Sequence, residues 1–119
     1  MKLSILIPTY DYVCYTLVHD LQLQCEGMGE FGGYEIIVIE DGGKDQVKAI
    51  ANLKINELPN CTYIRNKENI GRSAIRNRLA DIAQGEWLRF MDSAGKVISD
   101  DFIKNYVKSA REGADIVNG

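Results

Sequence analysis

The chain has 119 residues, of which 45% are hydrophobic and 26% charged, and its formal net charge is −3 at pH 7. This length suits one domain with its own core, and no apolar run approaches the roughly 20 residues that cross a bilayer. Because the charge balance is acidic, the sequence offers no basic field for nucleic acid, and we expect neither a nucleic-acid partner nor a transmembrane segment.

The first half of the sequence predicts two strands and two helices. The apolar run Leu3 to Ile7 is typical of a strand, and Pro8 is expected to end it because proline cannot continue a central ladder. A helix follows from about Tyr12 to Gly27, with four residues at helical spacing on one face: Cys14, Val18, Leu21 and Cys25. After a glycine-rich loop, the run Tyr34 to Glu40 predicts a buried second strand. The segment from Asp45 to about Leu53 predicts a short helix with an apolar face formed by Val47, Ile50 and Ala51.

A glycine opens the next helix, after a third strand predicted from Cys61 to Arg65. Gly71 permits the tight backbone turn that a helix start needs, and a helix N-terminus presents free N–H groups and a partial positive charge to an anion. Arg72 and Arg76 lie one helical turn apart, so that both guanidinium groups fit on one face. The pattern predicts a site for a phosphorylated ligand at this helix start.

The same helix carries an apolar face and is followed by a strand that ends at an acid. Its apolar residues recur at helical spacing: Ile75, Leu79, Ile82 and Ala83. Gly85 ends the helix, and the apolar run Trp87 to Met91 predicts a strand covered on both faces. Asp92 then stands at the carboxyl end of that strand, where open α/β sheets bind their ligands.

The remaining residues predict a helix from Ser99 to Gly113 and the beginning of a strand, Ala114 to Val117. The alternation along the chain predicts an α/β fold with a mostly parallel sheet, helices on both faces and right-handed crossovers. In such a sheet the functional loops meet at the carboxyl ends of the strands. The residues placed at this rim are Thr9, Tyr10, Asp11, Glu40, Asp41, Asn66 to Arg72, and Asp92.

The three cysteines, Cys14, Cys25 and Cys61, are scattered and odd in number. Disulfide frameworks and zinc sites need paired or clustered cysteines, so this spacing favours three small buried hydrophobes in a reducing compartment. We therefore expect a cytoplasmic protein, with the inner face of the membrane as the alternative for a longer parent protein.

Four blocks of sequence, SILIPTYD, EDGG, NIGRSAIRN and LRFMDSAG, carry a family resemblance in their order and spacing. The chain resembles the inverting glycosyltransferases of family two, which have the GT-A fold, from Leu3 to Gly119. The resemblance implies a three-layer α/β/α, Rossmann-like fold that binds a nucleotide-diphosphate sugar, most often a UDP sugar. It further implies transfer of the sugar to a saccharide or lipid acceptor, as in cell-envelope polysaccharide synthesis.

The resemblance also implies a donor site of six residues: Pro8, Thr9, Tyr10, Asp41, Arg72 and Asp92. Tyr10 would lie against the base, Asp41 would accept a hydrogen bond from it, and Arg72 would reach the base or the phosphates. Asp92 would open an Asp-x-Asp element at the ribose and at a Mg²⁺ or Mn²⁺ ion. Such a cation acts as a Lewis acid that neutralises the departing nucleoside diphosphate.

Two features depart from the family pattern. Where the family has a second acid, this chain has Ala94, which offers no oxygen to a metal ion; Asp100 or Asp101 is either a substitute ligand or a helix cap. The general base and the acceptor site belong to a C-terminal half that we expect to be absent, so no catalytic residue is assigned in residues 1–119. The chain is thus either the donor-binding part of an enzyme, inactive in isolation, or a non-catalytic nucleotide-binding module. We expect it to self-associate through an exposed edge at its last strand.

Overall fold

The computed structural model describes residues 2–28, 33–93 and 103. In these residues, strands and helices alternate along the chain: β1 (Leu3–Thr9), α1 (Tyr15–Met28), β2 (Tyr34–Asp41), α2 (Gln46–Leu53), β3 (Cys61–Asn66), α3 (Arg72–Ile82) and β4 (Trp87–Phe90), with a 3₁₀ turn at Lys54–Glu57. Of the helix predicted from Ser99 to Gly113, Ile103 alone is described; it is helical and buried. The predicted last strand lies outside the described residues, so self-association through its edge remains a prediction.

The four strands form one parallel sheet in the order β3-β2-β1-β4. The chain therefore builds outward from β1 through β2 to β3 and then places β4 on the opposite side of β1. This reversal of strand order beside β1 opens a crevice at the carboxyl ends, where ligands of open α/β sheets bind. The predicted parallel α/β fold is confirmed.

Helices cover both faces of the sheet, which gives the three predicted layers. One face buries the odd-numbered residues of β1, such as Ile5, against α1 residues that include Val18 and Leu21. The other face buries Leu6 and its neighbours on β2 against Ile75 and Leu79 of α3. The alternation of β1 side chains between the two clusters is the two-residue period of a strand covered on both sides.

β1 continues through Pro8 to Thr9, so the expectation that Pro8 ends the strand is wrong. The backbone groups of even-numbered β1 residues face β4, as the bond from Met91 N–H to the Leu6 carbonyl shows (3.0 Å). Pairing with β4 stops at Leu6 and Phe90, two residues before Pro8. The N–H that proline lacks thus deprives no described strand of a partner, and Pro8 stays in register with Ile39 of β2.

α1 begins at Tyr15, three residues after the predicted start, because a buried amide holds the preceding loop. Asn52 accepts a hydrogen bond from Cys14 N–H (2.9 Å) and donates one to the Tyr12 carbonyl (2.8 Å). The backbone of this loop is therefore bonded to α2 and does not join the helix.

The buried side of α2 is formed by Ala49 and Asn52. Val47 and Ile50, which were expected to lie on an apolar face, are 78% and 62% exposed. Asn52 can be buried because its amide group is hydrogen-bonded at both ends. The hydrophobic pattern therefore identified the helix but not the side that packs.

A small polar cluster at the amino end of the sheet fixes β4 beside β1. The Ser4 hydroxyl donates to Glu35 Oε2 (2.6 Å) and accepts from Gly85 N–H (2.8 Å). Glu35 Oε2 also accepts from Gln84 N–H (2.6 Å). These bonds set where β4 begins and hence where Asp92 lies at its far end.

All three cysteines are buried and unpaired, as predicted. Burial raises the pKa of each thiol to about 12, so each stays protonated at neutral pH. Within the described residues, no helix is long and apolar enough to cross a membrane.

Candidate functional site

A cleft of about 250 Å³ lies at the carboxyl ends of the strands, where the strand order reverses. Its lining contains all six residues that the resemblance assigned to the donor, together with three that it did not: Pro8, Thr9, Tyr10, Tyr12, Asp41, Arg72, Ile75, Asp92 and Ser93. The parallel sheet thus brings the six residues together from the end of β1 and the residue after it, the end of β2, the start of α3 and the segment after β4. Their individual binding roles remain predictions.

Asp41, at the end of β2, holds the loop that leads into α3. Its buried carboxylate accepts hydrogen bonds from the N–H groups of Ile70 (2.7 Å, to Oδ1) and Gly71 (3.0 Å, to Oδ2). Its carbonyl accepts a third bond from the Asn69 side chain (3.1 Å). A carboxylate has about four acceptor positions, so Asp41 keeps the capacity to accept a bond from a ligand. It therefore positions the helix start whether or not it also contacts a base.

Gly42 allows this loop to approach β2 closely. Its φ of +67° lies in the left-handed region, and a β-carbon there would collide with the backbone nitrogen of Asn69. Its N–H donates to the Asn66 carbonyl at the end of β3 (3.0 Å). Gly42 thus brings the end of β2 into contact with the end of β3 and with the loop that precedes α3.

α3 begins at Arg72, directly after Gly71, whose φ is +94°. The Gly71 carbonyl accepts the first intrahelical bond from Ile75 N–H (3.0 Å). A helix has no backbone acceptors for the N–H groups of its first turn, and its N-terminus carries a partial positive charge. The helix start therefore brings a favourable environment for an anion to the cleft that Arg72 lines.

Arg72 and Asp92 face each other across the cleft, with 3.7 Å between Nη2 and Oδ2. Both side chains are largely exposed, at 70% and 63%, so the pair stabilises the fold by at most about 1 kcal/mol. Arg76 does not line the cleft. Its guanidinium lies over the Phe90 ring, 4.5 Å from the centroid, so Arg76 packs against β4 while Arg72 lines the cleft.

A buried acid next to Asp41 supports the loop that carries Tyr10. Glu40 is 2% exposed; its Oε2 accepts from Asp11 N–H (2.8 Å) and its Oε1 from the Tyr63 hydroxyl (3.0 Å). Asp11 in turn accepts from Asp45 N–H at the start of α2 (2.9 Å). Burial, then the bond to Glu40, raises the pKa of the Tyr63 phenol. Glu40 and Asp11 therefore act in the scaffold of the rim and do not line the cleft.

Three residues of the cleft, Tyr12, Ile75 and Ser93, were not predicted as site residues. Tyr12 and Ser93 each lie within two residues of a predicted one, and that proximity was the available signal. Ile75 was predicted as part of the apolar face of α3, and its position in the first turn also brings it to the cleft.

The described residues do not fit a divalent cation. Within residues 2–28, 33–93 and 103, no group of three or more His, Cys, Asp or Glu side chains is placed to hold a metal ion. Of the two carboxylates that line the cleft, Asp41 accepts from two backbone N–H groups and Asp92 faces Arg72. The sequence has Ala94 where the family has its second acid; Ala94, Asp100 and Asp101 lie outside the described residues.

Comparison with known proteins identifies the family of the chain. The family model described as "Glycosyl transferase family 2" matches residues 4–119. An uncharacterized glycosyltransferase of Haemophilus influenzae is 32% identical over 103 residues, covering 87% of this chain and 38% of that protein. The poly(ribitol-phosphate) beta-glucosyltransferase of Bacillus spizizenii is 31% identical over 126 aligned residues, covering 100% of this chain and 19% of that protein.

A solved structure shows the same fold. The crystal structure of residues 1–349 of S. aureus TarS in complex with UDP-GlcNAc has a TM-score of 0.72 and 28% identity, covering 94% of this chain and 32% of that one. The chain therefore spans less than two fifths of the length of these relatives. Because the family model covers nearly all its residues, the chain belongs to glycosyl transferase family 2.

Proposed function

We propose that this chain binds the nucleoside diphosphate of an activated sugar, and that it supplies the donor-binding portion of an inverting glycosyltransferase. The observation that carries the proposal is the cleft, because it gathers six residues from four separate elements around one space. The family membership and the UDP-GlcNAc complex of TarS support a UDP sugar as the donor.

The proposed binding mode follows the chemistry of the cleft. Tyr10 is half exposed at the rim and offers an aromatic face to the base. Arg72 and the start of α3 would hold the diphosphate, and Asp92 would accept hydrogen bonds from the ribose. Stabilising the negative charge of the departing diphosphate is the contribution that such a site makes to sugar transfer.

The acceptor and the general base are proposed to lie in sequence beyond residue 119 of a longer protein. Deprotonation of an acceptor hydroxyl by a carboxylate would allow in-line attack at the anomeric carbon, with inversion. The name of the poly(ribitol-phosphate) beta-glucosyltransferase relative supports a cell-envelope polymer as the acceptor class. On this view residues 1–119 bind the donor and do not transfer it.

Calorimetric titration of the 119-residue chain with UDP tests the proposal. We expect UDP to bind and UDP-GlcNAc to compete with it. Tyr10→Ala should weaken UDP binding, whereas Leu23→Ala, which truncates a similarly exposed side chain on α1, should leave it unchanged. A chain that is folded by circular dichroism and yet binds no UDP would overturn the donor-site proposal.

A second function, a nucleotide-binding module without catalysis, is favoured by one observation, the alanine at position 94. The two functions differ in what a longer protein containing this chain would do with a UDP sugar. Release of UDP in the presence of an acceptor glycan, followed by mass spectrometry, would favour the enzyme. Tight UDP binding with neither hydrolysis nor transfer would favour the module.

A further inference from the structure

We infer that Arg72 takes the place of a divalent cation as the positive charge opposite the diphosphate, so that this chain binds its nucleotide without metal. The inference deepens the proposed function and rests on it. It concerns how the charge of the ligand is balanced, and it departs from the Mg²⁺ or Mn²⁺ that the family resemblance implies.

The Asp-x-Asp element of this chain offers one carboxylate to a metal ion. A hard divalent cation prefers several oxygen ligands, usually carboxylates together with phosphate oxygens and water. Here the element reads Asp92, Ser93, Ala94, so its second carboxylate is replaced by a methyl group. In the described ranges no group of three or more His, Cys, Asp or Glu side chains makes up the deficit. Each oxygen of Asp41 already accepts one backbone N–H, from Ile70 and Gly71, and a cation would compete with these bonds.

Arg72 lies beside the carboxylate of Asp92. Its Nη2 lies 3.7 Å from Asp92 Oδ2, so a guanidinium already stands beside the one carboxylate that remains of the metal element. A cation bound to Asp92 would lie within a few ångströms of this guanidinium and be repelled by it. The location where the family places a metal charge therefore carries a permanent positive charge from the protein.

Arg72 also has the freedom and the chemistry to bind phosphate. Its side chain is 70% exposed, so it can turn from Asp92 to a ligand without breaking a buried contact. A guanidinium presents a planar fork of donors that matches two phosphate oxygens, and it stays charged at every physiological pH. The two bonds from Asp41 to the loop before α3 fix the backbone from which Arg72 extends.

Arg78 offers a matched control for Arg72. Arg78 lies on the same helix and is also exposed, but it donates to the Asn66 side chain (2.6 Å) and does not line the cleft. Replacing Arg72 and Arg78 separately therefore removes the same charge from the same helix, once inside the site and once outside it.

The test is calorimetric titration of the 119-residue chain with UDP and with uridine, in EDTA and in excess Mn²⁺. Wild-type affinity for UDP should agree within about twofold between the two conditions. Arg72→Ala should weaken UDP binding about ten- to hundredfold in both, as expected for losing a charge-assisted contact, and leave uridine binding unchanged. Arg78→Ala should bind both ligands like the wild type. Arg72→Lys, which keeps the charge without the fork, should fall between, and it serves as the test should Arg72→Ala fail to fold.

Restoring the acid provides the converse test. Ala94→Asp should bind UDP at least about tenfold more tightly in Mn²⁺ than in EDTA, the difference that one added ligand of this strength provides. Absence of UDP binding under every condition would overturn the proposed function itself. UDP binding by the wild type that requires Mn²⁺, or an Ala94→Asp variant that gains no response to Mn²⁺, would overturn this inference and leave the proposed function standing.

Discussion

Glu40 Oε2 accepts a hydrogen bond from the backbone N–H of Asp11 at 2.8 Å, joining the end of β2 to the loop that follows β1. Tyr10, which precedes Asp11, lines the cleft, and so does Asp41, which follows Glu40. The bond therefore fixes the spacing between Tyr10 and Asp41, although neither Glu40 nor Asp11 lines the cleft. A buried carboxyl group in this position needs hydrogen-bond partners for both of its oxygens, and the Tyr63 hydroxyl is the partner of the second one.

Glu40→Gln should destabilise the fold and disturb the cleft. The new amide group would turn a donor toward either Asp11 N–H or the Tyr63 hydroxyl, leaving one buried group unsatisfied, at a cost of about 1–3 kcal/mol. Urea unfolding measures the loss of stability, and UDP titration of the folded variant measures the effect on the loop of Tyr10. Glu57→Gln, the same change at an exposed site, is the control and should alter neither. A Glu40→Gln variant as stable as the wild type would show that the network does not hold the rim.

Much of the fold could be predicted from the sequence because most of its strands are apolar runs and the segments between the strands have helical periodicity. The proximity of Tyr10, Asp41 and Asp92 also followed, since parallel strands end at the same edge of a sheet. Local pattern was sufficient wherever the two-residue and 3.6-residue periods were decisive.

The rest depended on contacts between distant residues. The link from Tyr63 to Glu40 spans 23 residues and arises only when β2 and β3 pair in their observed register. The late start of α1 and the exposed face of α2 both follow from Asn52, whose partners lie 38 and 40 residues away. A buried asparagine reads as a surface residue until its partners are known, and that is why hydrophobic spacing pointed to the wrong side of α2.

Ser4→Ala should lower stability without weakening nucleotide binding by the folded chain. The change leaves the partly buried Gly85 N–H without its acceptor and removes the donor to Glu35, at a cost of about 1–3 kcal/mol. These groups lie at the amino end of the sheet, opposite the cleft. Unfolding in urea at several UDP concentrations separates the two effects; a loss of UDP affinity equal to that of a cleft variant would show that β4 shifts along its whole length.

The free energy of unfolding should fall as the pH rises above about 9. Burial raises the pKa of Cys14, Cys25 and Cys61 to about 12 from their ordinary value of 9.0. Burial likewise raises the pKa of Tyr34 to about 12 from 10.0. A group whose pKa is raised on folding holds its proton in the folded state after the unfolded chain has lost it. Its contribution is therefore complete below the unfolded pKa and is lost as the pH rises through the folded one.

The measurement is the slope of the unfolding free energy against pH between about 9 and 12, obtained under reducing conditions. Cys25→Ala should make that slope shallower, because one fewer group then takes part. Stability that stays constant across this window would mean that the thiols are hydrated in the folded protein.

Gly42→Ala should be among the most damaging single changes at the site. The substitution forces an alanine into the left-handed region, which costs about 1–2 kcal/mol, and it also drives a methyl group into the backbone of Asn69. Gly33→Ala is the matched control: its φ is +102°, but a β-carbon there meets no atom of the described residues within 4 Å, so among these residues it adds backbone strain without a clash. We expect Gly42→Ala to exceed Gly33→Ala in lost stability and to weaken UDP binding as well, because the displaced loop carries Gly71 and Arg72 with it. Equal losses for the two variants, with UDP affinity intact in both, would show that the close approach at Gly42 does not position the helix start.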